Sequence, residues 1–456
     1  NWSEKYATQP ELLDYAGHVA DRFYMLRDNQ LSTSVTAAAF DQQKDRWYVS
    51  TSRDDLVSAQ YVVLASGILS TRNTPPFEGA DAFRGESYHT GAWPHEPVDL
   101  KGKRVAVIGT GSSACQCIPL IAEDAAEVTV FQRTPNYVIP AHNEVLTDEQ
   151  VRQIKTDYDE FRRQNVEFPF AFYFNAIDKS ALEVSDEERE RIYEEAWGRG
   201  GLMFMGVFND LLTDDAANAT ARDFFRRKLE AAVDDPELVE KLTPDYALGC
   251  KRLIVGTDYY ETFNRDNVQL VSLKDSPIER ISPEGVVVAG REYPADIIVY
   301  ATGFDAISGP ILSIDIKGRN GLSIRDKWED GPRCYLGLMV EGFPNMFTVT
   351  GPGSPSVLSN VIKSIEQHVD FITGCISELR NRGQHTIEPT LEAENAWIGH
   401  VDEIADETVF KSCNSWYLGS NIPGKPRVFT AYVGFPEYTV ELNDIVEDDY
   451  RGFSLA

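Results

Sequence analysis

Residues 101–114 read KGKRVAVIGTGSSA, and residues 127–135 read EVTVFQRTP. The run from Arg104 to Ile108 has the apolar pattern of a buried strand, and the glycine-containing turn after it leads into a helix predicted to begin near Ser112. A second strand is predicted from Glu127 to Phe131. This order of strand, turn, helix and strand is the context in which a GxGxxA turn binds a dinucleotide.

The residues of the turn have separate predicted roles. Gly109 permits the tight turn, Gly111 lets the backbone approach a pyrophosphate, and Ala114 allows close packing of helix on strand. The pyrophosphate would rest on the helix N-terminus, where backbone N–H groups and the helix dipole favour anions. The predicted nucleotide-binding turn therefore comprises Gly109, Thr110, Gly111, Ser112, Ser113 and Ala114. The alternative is a glycine turn before an ordinary helix, and the flanking strands favour the nucleotide site.

The end of the second strand indicates which nucleotide binds. A site for NAD usually carries an acidic residue there, which binds the ribose 2′-hydroxyl. This chain has Arg133 followed by Thr134, a pair that suits a 2′-phosphate. The alternative for Arg133 is a solvated surface arginine; the sequence favours NADPH.

The composition is that of an acidic globular protein. The chain has 456 residues, a net charge of −29 and a pI near 4.6. This length predicts two or more domains, and the charge argues against nucleic acid or an anionic membrane as partner. An anionic cofactor would need local basic clusters, for which Arg133, Lys251–Arg252 and Lys425/Arg427 are candidates. The composition does not specify an oligomeric state.

The six cysteines show neither a CxxC pair nor the spacing of a metal site, so we expect no metal and a reduced, cytoplasmic protein. No apolar run is long enough to span a bilayer. Because the chain begins with Asn1 rather than Met, we expect that its natural start lies upstream.

Two similar strand ends suggest how the domains are arranged. Tyr61 to Gly67 and Asp296 to Gly303 are each apolar runs that end in glycine, as central parallel strands do. We therefore predict an α/β protein with two dinucleotide-binding, Rossmann-like domains, one inserted into the other. The outer domain comprises residues 1–67 and 301–456. The inserted domain, residues 68–300, contains a linker at 68–100 and a helical insertion at 145–247. Chance similarity of the two strand ends is the alternative.

Other segments show local signals. Thr8 to Glu11 resembles a capping box before a helix with one buried face, and residues 34–51 read as a hairpin. Capping signals at Thr147 and Ser185 and the Asp235–Pro236 pair open helices of the insertion. The pair Lys251–Arg252 follows a glycine, which suits a phosphate contact and suits surface charge equally well.

A longer motif precedes the nucleotide-binding turn. Residues 83–94 read FRGESYHTGAWP, in which Phe83, Gly85, His89, Thr90, Trp93 and Pro94 match the fingerprint of Baeyer–Villiger monooxygenases. Further segments resemble signatures of this family: residues 132–135 (QRTP), 301–305 (ATGFD), 351–356 (GPGSPS) and 415–417 (SWY). The resemblance covers essentially the whole chain and is closest to the phenylacetone and cyclohexanone monooxygenase types.

The resemblance implies a function. These enzymes use NADPH, FAD and O₂ to convert ketones to esters or lactones, with FAD in the outer domain and NADPH in the inserted one. It implies that Arg252 stabilises a negatively charged flavin peroxide and that Lys251 joins Arg133 and Thr134 at the NADPH 2′-phosphate. Arginine suits the first role because it stays protonated at working pH.

The resemblance also assigns further residues. Trp416 would cover NADPH, Val35 would line the flavin adenine pocket, Val361 would border the flavin, and Val357 and Leu358 would shape the ketone pocket. Each has a structural alternative: a core tryptophan for Trp416, and a proline turn before a helix for residues 354–361. For His89 the favoured interpretation is a histidine that locks the linker between domains rather than an acid or base.

The chain also departs from the family pattern. The family carries a first GxGxxG that grips FAD, and residues 1–67 contain only Gly17 and Gly67. We expect that truncation explains this and that the fragment alone binds FAD poorly. Two other functions stay open: a flavin monooxygenase that oxidises sulfur or nitrogen, and a non-catalytic NADPH-binding fragment.

Overall fold

The computed structural model of the protein describes residues 2–172 and 177–456. Its helices are α1 (Gln9–Arg22), α2 (Ser112–Asp124), α3 (Asp148–Thr156), α4 (Tyr158–Asn165), α5 (Asp186–Arg199), α6 (Asp215–Ala232), α7 (Pro236–Leu242), α8 (Gly309–Leu312), α9 (Ile324–Lys327), α10 (Val361–Arg382), α11 (Leu391–Asp406) and α12 (Phe435–Glu447). Its strands are β1 (Val35–Asp41), β2 (Arg46–Thr51), β3 (Leu56–Ala59), β4 (Val62–Leu64), β5 (Glu86–His89), β6 (Arg104–Ile108), β7 (Glu127–Gln132), β8 (Val138–Pro140), β9 (Ile254–Gly256), β10 (Val268–Ser272), β11 (Ile278–Ser282), β12 (Gly285–Val288), β13 (Arg291–Pro294), β14 (Ile297–Tyr300), β15 (Asp315–Lys317), β16 (Met346–Thr348), β17 (Ile387–Pro389) and β18 (Phe453–Leu455).

A parallel sheet of five strands in the order β10-β7-β6-β14-β5 lies within residues 68–300, the region predicted as the inserted domain. Its central strands are buried on both faces, as their unbroken apolar runs require. Helix α2 packs on this sheet through Ala114, Cys115 and Ile118, all fully buried. The first strand has the predicted bounds, the helix begins at the predicted Ser112, and β7 extends one residue past Phe131.

The helical insertion follows the predicted start signals. At Thr147 both hydrogen bonds of the capping box are present. The side chains of Ser185 and Asp235 accept from backbone N–H groups at the starts of α5 and α7. Helix α6 buries Phe224 and Phe225 in the same core as α2, so the insertion packs as part of the nucleotide-binding region.

The outer region combines a four-stranded sheet, β15-β1-β2-β3, with a parallel pair, β16-β4. The predicted hairpin at residues 34–51 is confirmed as the antiparallel pair β1 and β2. Helices α10, α11 and α12 enclose a second core that includes Phe347, Cys375 and Tyr438.

Two local predictions are wrong. Helix α1 forms, but Thr8 makes no side-chain cap and no residue of the helix is buried. The run Tyr61 to Gly67 yields only the short strand β4, in which Val63 is 45% exposed. Apolar spacing determines which side chains share a face, whereas burial also requires an element that packs against that face.

The two chain connections predicted near residues 67 and 301 lie side by side. Backbone N–H groups of Asp305 and Ile307 donate to the carbonyls of Thr71 and Ile68, both at 2.8 Å, and the N–H of Asn73 donates to Gly303 O at 2.9 Å. We call residues 67–73 and 301–307 the paired crossings. Both connections of the proposed two-domain arrangement therefore run together.

The cysteines differ from the expectation of a fully reduced protein. Cys250 and Cys413, 163 residues apart, form a disulfide with a Cα–Cα distance of 6.2 Å. Sequence spacing gave no sign of it, because tertiary folding alone brings the two segments together. Cys115, Cys117, Cys334 and Cys375 are free thiols. No helix in the described residues has both the length and the apolar character needed to cross a membrane.

Candidate functional site

The nucleotide-binding turn combines one crowded glycine with one open glycine. Gly109 has φ +111°, and a Cβ there would lie 2.4 Å from the carbonyl oxygen of Ala301. At Gly111, a Cβ would meet no atom within 4 Å. Gly109 is therefore required by the turn and its packing, whereas Gly111 leaves space above the backbone in which a ligand fits.

Hydrogen bonds join this turn to the end of β7. Thr110 Oγ1 donates to Thr134 O at 3.0 Å, and Asn136 Nδ2 donates to Thr110 O at 2.7 Å. No side chain caps the N-terminus of α2 at Gly111. The N-terminus of a helix 13 residues long thus faces the open side of the turn, an arrangement that suits a pyrophosphate.

The two cations predicted for the 2′-phosphate come from different segments and lie near each other. Arg133 is exposed at the end of β7, next to the half-buried Thr134. Lys251 lies with its Nζ 4.2 Å from the centroid of the Tyr246 ring. Burial, assisted by the nearby positive charge of Arg133, lowers the pKa of Lys251 to about 8. A phosphate dianion would relieve this repulsion.

Arg252 points toward the loop that follows β16. Its Nη1 donates to the carbonyl oxygen of Val357 at 3.0 Å, so its bond is to a neutral acceptor rather than to a carboxylate. The residue is exposed to solvent, yet its side chain lines a cavity instead of extending away from the protein. The guanidinium can therefore offer its remaining N–H groups to a ligand in the cavity.

We call this small cavity the arginine pocket. Its lining residues are Phe170, Phe172, Leu202, Met205, Gly249, Arg252, Leu358, Phe410 and Tyr417, with Arg252 as the charged member of the set. Burial raises the pKa of Tyr417, and the charge of Arg252 opposes that shift. One permanent cation in an aromatic and aliphatic wall can bind an apolar molecule and stabilise one negative charge on it.

A buried histidine supports the loop that faces Arg252. His368 Nδ1 accepts from Thr350 N at 3.0 Å, so the neutral ring carries its proton on Nε2, which lies 3.2 Å from Tyr438 Oη. Tyr438 in turn donates to Leu336 O at 2.6 Å. Thr350 and Leu336 have left-handed backbones, with φ of +59° and +60°. Burial lowers the pKa of His368 to about 4, so the ring holds these two strained positions in its neutral form.

His89 of the fingerprint holds the paired crossings. Its Nδ1 accepts from Gly91 N at 2.9 Å, and Nε2 lies 3.3 Å from Asn73 O and 3.4 Å from Thr302 Oγ1. The side chain is 7% exposed, and burial lowers its pKa. This geometry favours a locking role over acid–base work.

The other fingerprint residues lie close to His89 in the chain. A Cβ at Gly85 would lie 2.2 Å from Asp296 O and 2.6 Å from the ring of Phe83, so only glycine fits there. The Trp93 ring lies 5.4 Å from that of Tyr88. Thr90 and Pro94 are half-buried in the same segment.

Buried polar atoms without a protein partner surround the crossings and the Trp416 segment. In the part of the chain that the structure describes, Thr90 Oγ1, Ser308 Oγ, Ser415 Oγ, Ser420 Oγ and Asn421 Oδ1 are buried and have no hydrogen-bond partner. Native proteins leave few such atoms unsatisfied, so this arrangement fits a site for polar cofactors.

The remaining predicted residues divide into two groups. Leu358 lines the arginine pocket, and Val357, 2% exposed, provides the carbonyl that binds Arg252. Trp416 is half-buried, with its ring 4.7 Å from that of Tyr417. Val35 and Val361 are 42% and 37% exposed and are outside the pocket lining.

Sequence reasoning missed several residues of this site. Phe170, Phe172 and Phe410 line the pocket, and His368 supports its loop. The aromatic density of residues 168–172 (FPFAF) was the available signal for the first two. Lys425, a candidate basic residue, is paired with Asp305.

Comparisons with known proteins identify the family of the chain. A family model described as pyridine nucleotide-disulphide oxidoreductase matches residues 1–188. A Baeyer–Villiger monooxygenase of Pseudooceanicola batsensis is 42% identical over 98% of this chain and 82% of that protein. A phenazine N-monooxygenase of Lysobacter antibioticus is 39% identical over 100% of this chain and 84% of its own.

Solved structures show the same architecture. An oxidised steroid monooxygenase bound to NADP has a TM-score of 0.94 at 48% identity, over 100% of this chain and 86% of that one. The monooxygenase OTEMO in complex with FAD and NADP has a TM-score of 0.96 at 36% identity, with the same two coverages. With relatives this similar along its whole length, the chain belongs to the Baeyer–Villiger monooxygenases, flavoproteins of two Rossmann-type domains.

Proposed function

We propose that this protein uses NADPH and O₂ to convert ketones to esters or lactones at the arginine pocket. The observation that carries the proposal is the position of Arg252, a permanent cation in an apolar, aromatic-lined cavity, directly after Lys251 of the nucleotide site. The family membership supplies the reaction class. The residues that line the pocket provide the positive charge and the apolar surface that the reaction needs.

The nucleotide site fits NADPH. The turn at residues 109–114 would hold the pyrophosphate, and Arg133, Thr134 and Lys251 would hold the 2′-phosphate. Trp416 would cover the nucleotide from the opposite side. We assign NADPH to residues 68–300 and FAD to residues 1–67 with 301–456, and the unsatisfied polar atoms at their junction fit hydrogen bonds to these cofactors.

FAD, when bound, supplies the activation of O₂. The protein must then keep the attacking oxygen negatively charged and exclude water. Arg252 provides the charge, because a guanidinium stays protonated at any working pH. Its bond to Val357 O fixes its orientation before the substrate arrives, and such preorganisation makes a charge effective in catalysis.

The pocket lining indicates an apolar ketone. Phe170, Phe172, Phe410 and Tyr417 surround the space near Arg252 with aromatic rings, and Leu358 closes one side. This apolar, aromatic lining suits cyclic and aryl ketones better than long polar ones.

A second candidate function is oxidation of a ring nitrogen or a sulfide. The identity of 39% to a phenazine N-monooxygenase favours it, and an aromatic-lined pocket would accept a planar heterocycle. The two functions differ in the charge they need. Attack on a carbonyl requires an anionic oxygen, whereas transfer to nitrogen or sulfur works with a protonated one.

The test offers matched substrates to the full-length, flavin-loaded protein. A panel of aliphatic, cyclic and aryl ketones is compared with a sulfide and an N-heterocycle, with NADPH oxidation and product mass measured together. We expect esters or lactones, one oxygen atom heavier than the ketone, with coupled NADPH use. N-oxide or sulfoxide without ester would overturn the ketone proposal.

We also propose a cytoplasmic location. Burial raises the pKa of the free thiols of Cys115, Cys117, Cys334 and Cys375, which keeps them unreactive. Such thiols are typical of a reducing compartment, where a disulfide is usually reversible rather than structural.

A further inference from the structure

The Cys250–Cys413 disulfide joins the two sides of the proposed site. Cys250 directly precedes Lys251 and Arg252, and Cys413 lies three residues before Trp416. The bond thus links a segment of the inserted region to a segment of the outer region. In the described residues it is the covalent link between the two regions other than the paired crossings.

Each sulfur is attached to a functional segment. On one side, Lys251 lies over Tyr246 beside Arg133, and Arg252 bonds to Val357 O. On the other side, Trp416 packs on Tyr417, which lines the arginine pocket. A shift of either segment would separate groups that must meet around one nucleotide.

The two sulfurs differ in access. Cys250 is fully buried, whereas Cys413 is half-buried in a bend between two short 3-10 turns and the residues on both sides of it are exposed. A small thiolate can therefore approach from the Cys413 side, and thiol–disulfide exchange requires such access. The four other cysteines lack a partner at bonding distance.

We propose that this disulfide is a reversible tie that positions the Lys251–Arg252 segment against the Trp416 segment and so tightens the hold on the nucleotide. A dithiol attacks the disulfide and is itself oxidised to a disulfide, while Cys250 and Cys413 each gain one electron and one proton and become thiols. The proposal rests on the proposed function for the identity of the nucleotide. Cys250 and Cys413 are positioning residues, since they act through their neighbours.

The first test counts thiols in the full-length, flavin-loaded protein purified without reductant. Titration under denaturing conditions before and after treatment with dithiothreitol should show a gain of two thiols, those of Cys250 and Cys413. Peptide mass spectrometry should find the cross-linked pair. No gain of thiols on reduction would overturn the proposal.

The second test measures nucleotide binding in the oxidised and reduced protein. Calorimetry with NADP⁺ should show that reduction raises Kd by about fivefold or more, the usual scale of coupling between sites. Anaerobic flavin reduction at saturating NADPH should change less than the apparent affinity does. If the bond were merely structural, its reduction would lower the melting temperature and leave the Kd unchanged, and that result would also overturn the proposal.

Variants separate the tie from side effects of reduction. Cys413→Ser and Cys250→Ser should each reproduce the weak binding of the reduced protein and should no longer respond to dithiothreitol. Cys117→Ser, a half-buried free cysteine, is the matched control and should behave as wild type. Because NADP⁺ binding is measured without a ketone, a protein that forms no ester can still show whether the disulfide affects nucleotide affinity. The proposed function and the role of the disulfide can therefore fail independently.

Discussion

The nucleotide-binding turn and the arginine pocket are built in different ways. The turn occupies one continuous stretch, residues 109–114, between a strand and a helix. The arginine pocket draws on segments 170–172, 202–205, 249–252, 358 and 410–417, which only tertiary packing brings together. Residues that are neighbours in sequence therefore determine the nucleotide-binding turn, whereas contacts between distant segments determine the arginine pocket.

The supports of the two sites differ accordingly. Thr110 and Asn136 hold the turn through bonds within about one βαβ unit. The pocket depends on the Arg252–Val357 bond, the His368–Tyr438 pair and a disulfide. Loss of one supporting contact should therefore reduce activity more when it belongs to the pocket than when it belongs to the turn.

Replacement of Arg252 by alanine tests the pocket most directly. We expect ester formation to fall by at least about 10²–10³-fold, or about 3–4 kcal/mol, because one preorganised charge is lost. Flavin reduction by NADPH should stay measurable. Product analysis and anaerobic absorbance of the flavin provide the two measurements.

Arg191→Ala is the control for Arg252. Arg191 is an exposed arginine of α5 that pairs with Glu195 at the surface, and its loss should leave ester yield unchanged. An unchanged ester yield in Arg252→Ala would rule out the proposed role.

Acid should destabilise the pocket through His368. Its pKa is about 4 in the folded protein and 6.5 when unperturbed, so the unfolded chain binds the proton more readily. Its contribution is complete above pH 6.5 and decreases as pH falls toward 4, by about 3 kcal/mol in total. Chemical unfolding of wild type and His368→Asn across this range should show that the variant lacks this part of the slope.

The control for His368 is His18→Asn, since His18 is exposed on α1. Asparagine keeps an acceptor for Thr350 N but does not titrate. Parallel pH curves for wild type and His368→Asn would contradict the prediction.

Replacement of Arg133 by alanine tests the turn side. Loss of a charge-assisted bond to phosphate costs about 1.5–3 kcal/mol, so the KM for NADPH should rise by about 10- to 150-fold. The KM for NADH, which has no 2′-phosphate, should change little. An equal rise in KM for NADPH and for NADH would show that Arg133 does not contact the 2′-phosphate.

A smaller expected effect is the loss of NADPH affinity at alkaline pH, which depends on Lys251. Its pKa is lowered to about 8 in the protein without nucleotide, and a bound 2′-phosphate raises it again by favouring the charged form. The lysine must then gain a proton on binding, so affinity for NADPH should fall as pH rises above 8, by at most about tenfold per unit. Initial rates from pH 7 to 10 measure it.

Two comparisons isolate the Lys251 effect. NADH should show no such dependence, and Lys251→Met should remove it for NADPH. A pH-independent KM for NADPH in wild type would contradict the lowered pKa.

The sequence predicted the strand and the helix start around the turn and the helix caps of the insertion well, because the signals for these elements are local. The β6 strand, the start of α2 and the Thr147 capping box are each determined by residues within a few positions. Lys251 and Arg252 were assigned only through the family resemblance, since spacing alone could not distinguish a phosphate contact from surface charge.

The failures share a cause. The apolar residues of α1 form a helix, yet no element of the described chain buries them. The partners of Cys250, Val357 and Phe410 lie far away in sequence, so neither periodicity nor spacing could identify them. His368 reads from sequence as one more polar residue on a helix, and only packing reveals its acceptor role toward Thr350.

The paired crossings limit how the two proposed domains can move. Two adjacent connections, hydrogen-bonded along their length and clasped by His89, oppose torsion about their common direction but yield to bending across it. Bending is then the softer of these two motions, with its axis at residues 67–73 and 301–307. While the Cys250–Cys413 bond is intact it restrains that bending, because it ties the segment of Lys251 and Arg252 to residues beyond the second crossing.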